Sequence, residues 1–108
     1  MGMNESEFLA AAERTLAAIE SAVEACDADV ETKRAGNVLT LELADGSRIV
    51  VNSQTPMRQI WVAAKSGGYH YEWRDGAWRD TRDGSELFAA LSRVLSAQGD
   101  VAVLLRAG

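Results

Sequence analysis

Glu13, Glu20, Glu24 and Asp27 are separated by seven, four and three residues, so on a helix they line one flank. At about 100° per residue, with Ile19 at zero, they lie between about 80° and 140°. The apolar positions Phe8, Ala12, Leu16, Ile19, Val23 and Cys26 lie beside them, at about −20° to +60°. Asp29 and Glu31 carry the acidic line past the helix end toward the first strand. Carboxylate oxygens are hard ligands suited to Mg²⁺, Ca²⁺, Mn²⁺ and iron. The same charges also make a docking edge for a basic partner. Crowded carboxylates repel one another, and Glu24 and Asp27 sit near the negative end of the helix dipole. A solvated acidic helix face remains the alternative for the stripe alone. Neither an EF-hand spacing nor a pair of histidines with a carboxylate is present, so a metal site here would be shallow and weak.

A second group comes from strand alternation. If Ile60 and Val62 face a core, Gln59 and Trp61 face the other way. The same rule sends Ile49 and Val51 inward and Asn52 outward. In the next strand Tyr69, Tyr71 and Trp73 face the helices, leaving His70 and Glu72 outside. Asn52, Gln59, Trp61 and His70 then share an uncovered sheet surface, and an exposed Trp is a frequent interface anchor. The other residues of chemical interest read more simply. Cys26 lies on the apolar face and reads as a buried structural thiol. His70, the only histidine, has no Ser or Cys partner, and no catalytic constellation emerges.

These groups need elements to position them. Asn4 with Glu7 forms a capping box, predicting a helix from about Glu5 to about Asp27. From residue 38 the apolar period becomes two, predicting strands over 38–43, 48–53, 58–64, 69–74 and 77–81. Asp45-Gly46, Ser66-Gly67-Gly68 and Asp75-Gly76 mark the turns, and Thr55-Pro56 interrupts the second strand. Asp83 with Glu86 suggests a second capping box. Leu87, Phe88, Leu91, Val94 and Leu95 give the next helix an apolar face, with Gly99 as its stop. The apolar tail 101–105 packs along the helices or adds an edge strand. The fold class is α+β: two helices on one face of a single antiparallel sheet, ordered helix, five or six strands, helix.

The chain has 108 residues and reads as one domain, with Met1-Gly2 looking like an added start before a native Met3. No apolar run is long enough to cross a bilayer, no secretory signal opens the chain, and the single cysteine rules out an internal disulfide. A reducing cytoplasm is the expected setting. The net charge of −5 is concentrated in residues 1–31, which hold eight acids against the single base Arg14. That balance disfavours nucleic acid and favours a cation or a basic protein.

The run from Asn52 to Trp61 (NSQTPMRQIW) resembles the signature of the frataxin family, roughly N-x-Q-x-P-x-x-Q-I/V-W. Gly67-Gly68-Tyr69-His70-Tyr71 resembles the family's bacterial form. So do the opening Asn4-Glu5-Ser6-Glu7-Phe8 and the hairpin Leu39-Thr40-Leu41 with Asp45-Gly46-Ser47. The resemblance runs from Met3 to about Gln98. It implies an antiparallel sheet covered by two helices, and a regulator of iron–sulfur cluster assembly. It further implies iron bound by an acidic ridge, and a cysteine desulfurase contacted by that ridge and the neighbouring sheet. Carried over by position, the ridge is Glu20, Glu24, Asp27, Asp29 and Glu31; the sheet residues are Asn52, Gln54, Gln59 and Trp61. Ser21 and Ala25 stand where relatives often have acids, the stretch before Val30 looks shortened, and Lys33 and Arg34 add positive charge. The expected function is a non-enzymatic adaptor, with Fe²⁺ or Fe³⁺ weakly held on surface carboxylates. Its partners are the desulfurase and the iron–sulfur scaffold complex. A monomer is expected, with iron-driven oligomerisation left open. The alternatives are a ferroxidase or iron store, and an acidic interaction module indifferent to metal.

Overall fold

The computed structural model describes residues 3–99 and 103–105. Helix α1 runs Glu5–Ala25, and its first turn is closed by the predicted box. Glu7 N–H donates to Asn4 Oδ1 at 2.8 Å, and Asn4 N–H donates to Glu7 Oε1 at 3.0 Å. The helix stops earlier than the predicted Asp27. Cys26 is extended, at φ −85° and ψ 161°, and its backbone N–H reaches back to the Val23 carbonyl. That turn swings Cys26 off the apolar face, so the thiol is half-buried rather than buried.

Six strands follow: β1 Val30–Ala35, β2 Val38–Leu43, β3 Arg48–Gln54, β4 Gln59–Ala64, β5 Gly67–Arg74 and β6 Ala77–Asp80. They pair in chain order, every pair antiparallel. The meander begins one strand earlier than the apolar pattern from residue 38. β1 (VETKRA) is an edge strand whose residues alternate between half-buried and exposed, so it lacks the apolar alternation that marks the others. Gly67 and Gly68 belong to β5 rather than to the turn before it. At the β5–β6 hairpin, Asp75 and Gly76 both take positive φ, 54° and 79°, the geometry that an Asp-Gly pair favours.

Helix α2 spans Leu87–Gly99, and Glu86 does not act as the third residue of a box begun by Asp83. Asp80 N–H donates to the Ser85 carbonyl and Glu86 bridges Arg79, so residues 85–86 stay extended along β6. Glu86 itself caps the helix, accepting from Phe88 N–H at 2.9 Å and Ala89 N–H at 3.1 Å.

Both helices cover one face of the sheet. Phe8, Leu16, Ile19 and Val23 of α1 and Leu87, Leu91 and Leu95 of α2 pack on Leu39, Leu41, Ile49, Val51, Ile60, Val62 and Tyr71. Trp78 joins β6 to α1 twice: it meets Phe8 edge-on at 6.0 Å, and its indole N–H donates to Thr15 Oγ1 at 2.9 Å. Residues 103–105 lie along α2. Ser92 Oγ accepts from Leu105 N–H at 2.8 Å, and Ser96 Oγ accepts from Val103 N–H at 2.9 Å. The tail reading therefore holds for these residues, while 101–102 and Met1-Gly2 lie outside the described ones.

Two stability predictions follow from these bonds. Thr15→Val leaves the buried Trp78 indole N–H unpaired, and urea unfolding should show a loss of about 1–3 kcal/mol with an unchanged m-value. Hydrogen bonds from Ser47 to the Asp45 carboxylate hold its pKa below the usual value. That contribution is complete above the unfolded carboxyl pKa and is lost as pH falls through the folded one. Asp45→Asn should therefore flatten the decline of stability below about pH 4.

Candidate functional site

The uncovered face of the sheet is an ordered surface whose cross-strand rows follow from the register. Asn52 stands opposite Trp61, and Trp61 opposite His70. The neighbouring row pairs Gln54 with Gln59 and Gln59 with Glu72. All five sheet residues expected from the sequence, Asn52, Gln54, Gln59, Trp61 and His70, thus meet on this face. Directly opposed side chains in an antiparallel pair are close enough to interlock. The Trp61 and His70 rings stack at 4.2 Å with only 10° between planes. The Trp61 indole N–H donates to Gln59 Oε1 at 2.7 Å, and the Gln54 amide donates to Asn52 Oδ1. Trp61 is thereby half-buried, its orientation fixed by the stack and the hydrogen bond.

The β3–β4 turn frames this platform. Thr55 to Arg58 form a turn with Pro56 at its second position, where a fixed φ suits it, and Arg58 N–H donates to the Thr55 carbonyl at 3.1 Å. Arg58 takes φ +53°, a left-handed conformation that is strained for a residue with a Cβ. Its guanidinium folds back onto the same Thr55 carbonyl. Met57 is left 57% exposed at the tip, next to the platform. Sequence reading missed Met57 and Arg58 as surface features; the signal available was the proline two residues before Arg58.

The acidic residues wrap around the β1 edge. Glu24, Asp27, Asp29 and Glu31 are exposed and Glu20 is half-buried. Thr32 Oγ1 donates to Glu24 Oε2 at 3.2 Å, so Thr32 faces the helices and Glu31 points to the open side. Glu31 is therefore the link between the helix stripe and the platform face, in a row with Glu42 and Arg48. The two bases beside the ridge are engaged by acids outside its five residues, one of them Glu13 of the helix stripe. Arg34 pairs with Glu13 at 2.6 Å and Lys33 with Glu42 at 3.7 Å. Among the described residues none of the five ridge acids forms an ion pair, and their charge stays available. They do not converge on one point: among the described residues, no three His, Cys, Asp or Glu side chains are placed to hold a single metal ion.

A frataxin-like domain model matches residues 1–101 of the chain. The chain belongs to the frataxin family. Among its relatives is the iron–sulfur cluster assembly protein CyaY of Paraburkholderia phymatum, 56% identical over 96 residues, covering 89% of this chain and 91% of that protein. CyaY of Ralstonia nicotianae is 55% identical over 107 residues, covering 95% of each. Among solved structures, the frataxin of Psychromonas ingrahamii superposes with a TM-score of 0.87 at 35% identity, covering 94% of this chain and 97% of that one. A trimeric yeast frataxin complexed with ferrous iron matches with a TM-score of 0.65 at 25% identity, over 93% of this chain and 89% of that one. The helix–meander–helix order expected from the sequence is the frataxin architecture.

In this frataxin the ring stack is open to direct test. His70→Ala removes the partner beneath Trp61 and should cost about 0.5–1.5 kcal/mol of stability. It should also move the Trp61 indole N–H resonance while leaving that of Trp78 in place.

Proposed function

We propose that the chain is a non-catalytic adaptor of iron–sulfur cluster assembly that docks on a cysteine desulfurase and its scaffold complex. One observation carries this reading: a pre-fixed aromatic platform, Trp61 on His70, shares its face with Glu31, one of five acids (Glu20, Glu24, Asp27, Asp29 and Glu31) that form no ion pair among the described residues. Such a surface suits a partner with a basic patch beside an apolar depression. Opposite charges speed encounter, and a buried aromatic anchor slows release. The name shared by its CyaY relatives supports assigning the partner to the assembly machinery.

Iron enters this reading as a weakly held cargo. The acids at Glu20, Glu24, Asp27, Asp29 and Glu31 form no prearranged three-ligand set, so iron would be held by one or two carboxylates with water completing the shell. A ferroxidase or store would need carboxylates bridging two irons, usually with a histidine, whereas here the acids lie on a solvated flank and the only histidine, His70, is in β5.

Binding kinetics with a purified cysteine desulfurase separate the two contributions. Trp61→Ala should weaken affinity about thirtyfold, about 2 kcal/mol, mainly through faster dissociation. Reversing Glu20, Glu24 and Asp27 to Lys should mainly slow association and flatten its dependence on salt. Unchanged binding in both variants would contradict the proposal.

A further inference from the structure

At the β6 edge, across the sheet from the acidic ridge, a cleft of about 260 Å³ opens between α1, the β5–β6 hairpin and the start of α2. Its walls are aromatic: Trp73, Trp78 and Phe88 line it. Trp78 is fixed by its bond to Thr15, and Trp73 leans on it edge-on at 5.4 Å while remaining 40% exposed. An indole left that open beside a cleft offers a ring face to a visitor.

Two charges of opposite sign also line the cleft. Arg14 is the only base in the first 31 residues, and it reaches the cleft from α1. Glu86 reaches it from the α2 cap. They are not paired with each other, and among the described residues neither forms any ion pair. The Glu86 oxygens already accept from Phe88 and Ala89 N–H, which fixes where its charge sits. A carboxylate has further lone pairs to offer. A cationic and an anionic group on the rim of one aromatic-walled space match a dipolar ligand whose body is apolar.

We propose that this cleft binds a free zwitterionic amino acid with an aromatic or branched apolar side chain. The ligand carboxylate meets Arg14, its ammonium meets Glu86, and its side chain lies against Trp73 and Trp78. The cleft is slightly smaller than the ~300–1,000 Å³ typical of drug-sized sites, which suits one amino acid rather than a peptide. The site is separate from the docking platform, so its occupancy can be tested without any partner protein.

The test is an NMR titration of the full chain with L-phenylalanine, following the indole N–H signals of Trp61, Trp73 and Trp78. Phenethylamine, which lacks the carboxylate, and 3-phenylpropanoate, which lacks the ammonium, serve as matched probes. The expected result is saturable movement of the Trp73 and Trp78 signals with Trp61 unmoved, and binding about tenfold weaker for each single-charge analogue. Arg14→Gln should erase the preference for L-phenylalanine over phenethylamine. Because Glu86→Gln also weakens the α2 cap, its loss of preference over 3-phenylpropanoate is read only where its melting temperature stays near that of the native chain. No saturable shift up to millimolar concentration would overturn the proposal, as would equal binding of all three compounds.

Discussion

Two helices cover one face of a six-stranded meander and leave the other bare. Since neighbouring side chains on a strand point to opposite faces, each strand carries a buried set and an uncovered set that are locked together. The inward set, from Leu39 through Ile60 to Tyr71, is essentially inaccessible to solvent. A slip by one residue would expose it and bury Asn52, Gln59 and Glu72, so the register is strongly held. Packing on the inner face thereby dictates that Trp61 and His70 meet on the outer one. The platform is a consequence of the core, and its polar neighbours then set the tilt of the rings.

The two sheet edges are treated differently. The β6 edge is partly closed by the chain itself, because residues 85–86 return along Arg79 and Asp80 before α2 begins. The β1 edge is protected by charge instead, with exposed Glu31 and Lys33 on a short strand. Charge at that edge serves two ends at once. It discourages strand-to-strand association, and it brings one acid, Glu31, onto the uncovered face, in the row of Glu42 and Arg48. The pairs Arg34–Glu13 and Lys33–Glu42 keep the added bases off the five ridge acids. Among the described residues the five ridge acids therefore keep their charge unpaired.

Helix α1, five of the six strands and the outward-facing residues were legible because apolar periodicity and Gly-containing turns report burial directly. β1 escaped because an edge strand beside a charged flank buries too little to show an apolar alternation. The start of α2 was misplaced because Asp83 and Glu86 fit a capping box locally, while bonds from β6 keep the chain extended to Glu86. The destinations of Lys33 and Arg34 lie in tertiary geometry: only the pairing of β1 with β2 and its approach to α1 reveals them. That the acids do not converge was equally beyond the sequence, because Thr32 turning inward is what sends Glu31 to the opposite side. The family signature, by contrast, coincides with the β3–turn–β4 segment that builds the platform.

The docking surface proposed for the assembly machinery comprises the acidic end of α1, Glu31 and the Trp61 platform. An NMR titration of the labelled chain with purified cysteine desulfurase, without iron, tests it most directly. Signals of residues 20–31 and of Asn52, Gln59, Trp61 and His70 should broaden together, while those around Trp73 and Gly76 stay sharp. Broadening confined to the β6 edge, or no change at saturating desulfurase, would contradict it.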